Sequence, residues 1–246
     1  MNRSTSLPIT GTVLKVIACF SMLIDHIGAS CLKEGILTVP GIGLSYSVIK
    51  RIYITYRIFR LFGRLAFPIY CFLLTEGFRY TSNLKHYTFR MLLFAFFSEL
   101  PFDMAFYRTP FYPQHQNVYW TLFLGLLSLS FLQKFSGQND RLLRIFSVGA
   151  CMAAAQLLNT DYGAFGVGLI AVLYELRESR KGQCFAGALL TSFEITAPVA
   201  FLPVLFYNGS RGRCSKRLKL AFYFFYPIHL TLLAVITNTF LRPAFL

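Results

Sequence analysis

A chain of 246 residues in which 55% are apolar, 17% aromatic and only 14% charged lies outside the composition of water-soluble globular domains. Mean hydropathy is +0.54, and apolar runs near the roughly 20 residues that cross a bilayer recur along most of the chain. The formal charge of +14 is dispersed among those runs, which sets nucleic-acid binding aside and fits loops that collect Lys and Arg beside anionic lipid.

The pattern predicts an all-α polytopic membrane bundle, one domain over 1–246, with spans at 13–32, 62–79, 89–107, 118–133, 142–159, 163–175, 184–207 and 222–241. That makes about eight crossings, with about seven to nine admitted by the short 163–175 and the interrupted 184–207. The first span follows Arg3 and Lys15 and ends in "GASC", as a cleaved signal would. Asp25 and His26 interrupt its apolar run, so it is expected to be a retained helix. Ala18, Ser21, Asp25 and Gly28 share a small-residue face suited to close helix approach.

Next, "VIKRIYITYRIFRLFGR" puts Tyr53, Arg57, Arg60 and Arg64 on one helical face, with Ile54, Ile58, Leu61 and Phe62 largely elsewhere. This predicts an amphipathic helix in the membrane interface. Span 163–175 is short for a crossing. Span 184–207 carries Glu194, Pro198 and Pro203, which predict a break or a re-entrant pair of half-helices. The six cysteines, Cys19, Cys31, Cys71, Cys151, Cys184 and Cys214, form no CxxC pair and suit packing better than disulfides or metal ligation. No metal is expected.

With single crossings throughout, Lys and Arg divide evenly between the two sides. If 184–207 passes twice, Arg211, Arg213, Lys216, Arg217 and Lys219 join the N-terminal side and leave a clear excess there. The expectation is therefore a cytoplasmic N-terminus and a double pass.

Alternation of the spans also gathers the polar residues. Asp25 and His26 lie past the middle of the first span, Arg64 opens the second, and Glu99 and Asp103 close the third. Asn117 and Thr121 open the fourth, and Asn159 and Asp161 follow the fifth. Ionisable groups at such depth face a wet cavity or a partner, so one shared polar chamber is expected. Adjacent helical residues point about 100° apart, so Asp25 is poorly placed to orient His26. Arg64 is the expected counter-ion of Asp25, and Glu99 or Asp103 the expected partner of His26, with Pro101 breaking that helix end. His229 opens the last span. Glu76 and Glu194 suit substrate contact or a structural role, and Asp161-Tyr162-Gly163 an acceptor contact or a capped turn. His86 and His115 are expected in solvated loops.

The runs "LKVIACFSMLIDHIG", "LFGRLAFPIYCFLLTEGFRYTSN", "RMLLFAFFSELPFDMAFY", "NVYWTLFLGLL", "DYGAFGVGLIAVLY", "PVLFYNGSRG" and "FYFFYPIHLTLL" together resemble the TraX family of membrane proteins, in the right order over nearly the whole chain. That family is named for the acetylase of conjugative pilin. The resemblance implies an integral inner-membrane acetyltransferase that uses acetyl-CoA as donor and a protein or glycan acceptor, such as a small pilin-like membrane protein.

Acetyl transfer needs a base, and a neutral imidazole suits that task near pH 7. His26 is the expected base, with Asp25 beside it, Glu99 or Asp103 orienting it, and Arg64, Asn117 or Thr121 as donors to the oxyanion. Asp161, Tyr162, Glu76 and His229 are candidate substrate contacts. Arg79, Lys85, Arg90, Arg141 and Arg144 are candidate contacts to the phosphates of acetyl-CoA. A proton-coupled transporter or flippase and a non-catalytic assembly factor are the alternatives, whereas neither a GxSG nor an HExxH protease motif occurs.

Overall fold

The structure is a computed structural model and describes residues 8–244; Arg3 lies outside them. Helix α1 (Gly11–His26) starts where the Thr10 hydroxyl accepts a bond from the Val13 N–H at 3.4 Å. It runs on through wider π-type turns over Ile27–Leu37. Helix α2 (Tyr46–Gly63) leads through a short break into α3 (Ala66–Arg79), making a helical stretch of 34 residues over Tyr46–Arg79. The segment expected in the interface is thus α2, packed along α1 and its π-type extension.

Helix α4 (Leu84–Phe106) is capped by Asn83 and continues through Pro101 instead of ending there. The following helices are α5 (Val118–Lys134), α6 (Arg141–Leu157) and α7 (Gly163–Glu175), close to the predicted spans. The region 184–207 is broken, as Pro198, Pro203 and Glu194 suggest. Helix α8 (Arg180–Leu190) stops, and the chain turns and returns through a 3-10 turn over Ala197–Ala200 and the short α9 (Phe201–Leu205). Last come α10 (Lys216–Val235), π-type turns over Ile236–Leu241 and α11 (Arg242–Ala244). Gly11–Leu37, Tyr46–Arg79 and Arg217–Ala244 are each long and apolar enough to cross a membrane, and α7 is a shorter apolar helix beside them.

The core centres on Leu14, Ile69, Phe72, Leu126, Leu169 and Val204, contributed by α1, α3, α5, α7 and α9. Small residues set the closest approaches. A Cβ on Gly125 would run into Ile170, so α5 and α7 meet backbone to side chain, and a Cβ on Gly28 would lie 3.0 Å from the Phe59 Cβ. At Gly63 the added atom would fall on the Asp25 carboxylate. The return from α9 is tied to the start of α1, with the Asn208 N–H donating to the Ile9 carbonyl at 2.9 Å and the Gly11 N–H to the Ser210 carbonyl at 2.9 Å. Arg211 therefore sits at the N-terminal end of α1. Helix direction puts Lys134, the last residue of α5, at that same end. Arg242 donates to the Glu34 carbonyl at the other end.

Two outcomes follow. In a background without the native cysteines, Lys134→Cys and Arg211→Cys should react with an impermeant thiol reagent from the same membrane side, and Arg242→Cys from the opposite one. Gly63→Val should lower thermal stability by about 1–3 kcal/mol or more through overpacking against Asp25, whereas Gly43→Val, where an added Cβ meets nothing within 4 Å, should leave it unchanged.

Candidate functional site

Asp25 lies inside the bundle, and its Oδ2 pairs with Arg60 of α2 at 2.5 Å. This replaces the expected pairing with Arg64. Arg64 caps the C-terminal end of α2, where the break before α3 redirects it to Glu194 in the turn after α8, at 2.7 Å. Gly63 supplies the room that the Asp25–Arg60 contact requires. Two arginines one helical turn apart thus hold two different segments against the same helix.

His26 meets His229 of α10, its Nδ1 2.7 Å from the His229 Nε2, with the rings stacked at 4.9 Å and 11°. The other nitrogen of His229, Nδ1, lies 2.6 Å from the Phe225 carbonyl oxygen. A carbonyl only accepts, so His229 Nδ1 carries a proton; in the neutral ring its Nε2 then accepts from His26 Nδ1–H. By this chain His26 Nε2 keeps its lone pair. Phe106 and Tyr226 stand edge-on to the His26 ring at 5.3 and 5.7 Å and restrict its rotation.

The carboxylates expected to orient His26 are engaged elsewhere, because α10 packs against both α1 and α4. Glu99 accepts from the Asn117 amide at 2.5 Å and the Trp120 indole at 2.9 Å. Asp103 accepts from the Tyr112 backbone N–H at 2.8 Å. Asn117 caps α5, donates to the Ala95 carbonyl at 2.8 Å and is fully buried. The buried Thr121 hydroxyl is taken up by the Thr160 hydroxyl and the Asp161 carbonyl. Neither is placed as a free donor to a substrate oxygen.

A cavity of about 560 Å³ joins the histidine site to the other end of the bundle. Its inner chamber is lined by Asp25, His26, Asp161, Tyr162 and Tyr226, its neck by Met22, Ala66, Phe67, Tyr70 and Tyr119, and its mouth by Lys15, Arg90, Arg211 and Lys219. Tyr162 stacks on Phe67 at 3.6 Å with the planes 3° apart, and its φ of 66° is left-handed, a strained state for a tyrosine. Asp161 stands 3.9 Å from His115, so that loop histidine is a neighbour of the chamber. Partial burial raises the Asp161 carboxyl above its ordinary value, against the opposing pull of His115, Arg60 and Arg64.

The buried Glu76 also lines the cavity, 3.5 Å from Arg79 and 3.9 Å from Arg180. Of the basic residues expected to meet phosphates, only Arg90 lines the cavity. Arg79 is held by Glu76 and Glu178, and Arg144 by both oxygens of Glu175 at 2.7 Å; Lys85 and Arg141 lie off the cavity wall. Sequence reasoning missed Tyr226, whose buried hydroxyl has no hydrogen-bond partner among the described residues. Its spacing three residues before His229 on one helix was the available signal. Among the described residues no group of three or more His, Cys, Asp or Glu could hold a metal ion.

The family model described as TraX protein matches residues 10–237, a range that contains both histidines and the whole wall of the cavity. The chain is 31% identical to the probable fimbrial assembly protein FimC, serogroup H1, of Dichelobacter nodosus over 253 residues, covering 89% of this chain and 92% of that protein. No solved structure matches it. With the family match running from the N-cap of α1 into the π-type turns after α10, this chain belongs to the TraX family.

Proposed function

We propose that this protein is an integral membrane acyltransferase that moves an acetyl group from acetyl-CoA to an amine or hydroxyl of an exported or membrane-bound acceptor. The observation that carries this reading is the His26–His229–Phe225 chain at the inner end of a cavity. It leaves His26 Nε2 as a base with fixed orientation in a site walled by aromatic rings. That nitrogen takes the acceptor's proton as the acceptor N or O attacks the thioester carbonyl. The tetrahedral intermediate then expels the thiolate, which recovers the proton from His26. Tyr226 donates its unpartnered hydroxyl to the developing oxyanion, the part expected of Asn117 or Thr121.

His229 acts through His26 as a positioning residue. Asp161 and Tyr162 form the wall that meets the acceptor, and Arg60 holds the Asp25 carboxyl in place. The name of the FimC relative, a fimbrial assembly protein, favours a pilus-related acceptor. The apolar helices favour a place in the cell membrane, and the excess of Lys and Arg that a double pass of 184–207 leaves on the N-terminal side favours a cytoplasmic N-terminus. The relative's name also favours a second reading, a non-catalytic assembly factor for a surface fibre.

Purified protein given radiolabelled acetyl-CoA and a membrane extract should label one acceptor. His26→Ala should cut the rate by about 10²–10⁴-fold, the range for loss of a general base. His229→Gln, whose amide can accept from His26 and donate to Phe225, should retain activity within about tenfold, and His229→Leu should fall with His26→Ala. Cells carrying His26→Ala that assemble fibres as well as wild type, with no acetyl mass on any acceptor, would leave the assembly reading. Separately, Arg60→Ala should cost about 3–5 kcal/mol of stability by leaving Asp25 unpaired, and Asp25→Asn in the same chain should restore part of it.

A further inference from the structure

The mouth of the cavity has a composition that the histidine chemistry does not explain. Lys15, Arg90, Arg211 and Lys219 come from three helices and the segment before α10 and line one opening. None of them pairs with a carboxylate among the described residues, in contrast to Arg60, Arg64, Arg79, Arg144, Arg177 and Arg180. Their cationic heads lie beside aromatic rings instead, Lys15 by Phe222, Arg90 by Tyr223 and Arg211 by Tyr80. Four unneutralised cations around one opening repel one another, and a polyanion relieves that repulsion.

Beyond the mouth the wall changes. The neck contains Met22, Ala66, Phe67, Tyr70 and Tyr119, none of them charged, before Asp25 and His26 are reached; Glu76, on the same cavity wall, faces Arg79 and Arg180. Such a passage accepts a thin, uncharged chain. From Lys15 to His26 is 11 residues of one helix, about 16 Å at the helical rise. Helix α10 repeats the arrangement, with Lys219 10 residues before His229. A pantetheine arm runs about twelve bonds from phosphate oxygen to sulfur, equivalent to about four peptide residues, or about 14 Å extended. The lengths agree.

We propose that Lys15, Arg90, Arg211 and Lys219 form the docking site for the phosphates of a nucleotide-linked thioester, whose arm threads the neck to present its acyl group to His26. Donor and acceptor then use opposite ends of the cavity. The acyl group is carried inside the protein about half-way through a bilayer core roughly 30 Å thick, while the nucleotide stays at the end that carries the N-terminus. The inference rests on the acyltransferase reading and gives it a direction. The shared chemistry is a phosphorylated ligand, for which an anionic lipid headgroup and free phosphate are the other sources.

The test uses the full chain in neutral-lipid nanodiscs and measures binding of coenzyme A, pantetheine and inorganic phosphate by calorimetry. Coenzyme A should bind at least tenfold more tightly than pantetheine or phosphate. Lys15→Gln with Lys219→Gln, which removes two cations that make no described hydrogen bond, should weaken it by about 100-fold while thermal stability holds. Arg90→Gln alone should weaken it by about tenfold, and His26→Ala should leave it intact. The proposal falls if coenzyme A and pantetheine bind alike, if phosphate binds as tightly as coenzyme A, or if the variants bind coenzyme A as wild type does. It falls also if phosphatidylglycerol nanodiscs bind the mouth and abolish coenzyme A binding. Binding lost as described without any acetyl transfer would overturn the acyltransferase reading and spare the mouth. Transfer at the wild-type rate by the double glutamine variant at subsaturating donor would do the reverse.

Discussion

Charge inside an apolar bundle has to be neutralised where it stands, and the arrangement of this protein follows from how Asp25 meets that requirement. A carboxylate just past the middle of the Gly11–Leu37 helical stretch can neither reach water by bending nor remain unpaired without large cost. Its partner comes from α2, and the contact forms only because residue 63 has no side chain. That close approach sets α2 against α1. The run of α2 into α3 then carries α3 on along α1, with Tyr70 meeting Cys19, and makes Ala66 and Phe67 part of the cavity wall.

The histidines solve a different problem. Two neutral imidazoles and a main-chain carbonyl satisfy one another without net charge, so they can sit among Phe106, Tyr226 and Phe225 without a counter-ion. The site thus separates its tasks between neighbouring residues of one helix. Asp25 fastens the bundle, and His26, turned about 100° from it, meets the cavity. Residue 25 thus carries a paired carboxyl, and residue 26 a ring nitrogen left without a partner among the described residues.

Much of the helical pattern was legible because hydropathy and helix caps act locally. The predicted spans at 89–107, 118–133 and 163–175 lie on α4, α5 and α7, and Glu194 with two prolines marked the break after α8. Local rules failed at Pro101, where the helix carries on to Phe106 because loss of one N–H does not outweigh the packing of α4 against α10. Arg60 and Arg64 share a helical face, so spacing could not choose between them, and the choice was made by the break before α3. The partner of His26 lay 203 residues away and its identity depends on α10 lying between α1 and α4, a fact of assembly that no local pattern carries. Glu99, Asp103, Asn117 and Thr121 were gathered at the correct end, but they consume one another and adjacent backbone groups, which only the full set of contacts discloses.

The two arginines at the end of α2 also constrain motion. Arg60 grips α1 and Arg64 grips the turn between α8 and α9, from positions a single turn apart on one helix. A rotation of α2 about its axis by a few tens of degrees would loosen both grips together, and a shift of either partner would load the other through the same short piece of helix. Helix α1 and the re-entrant pair are therefore yoked, like two rods on one crank, and any widening of the chamber must engage the half-helices on its far side.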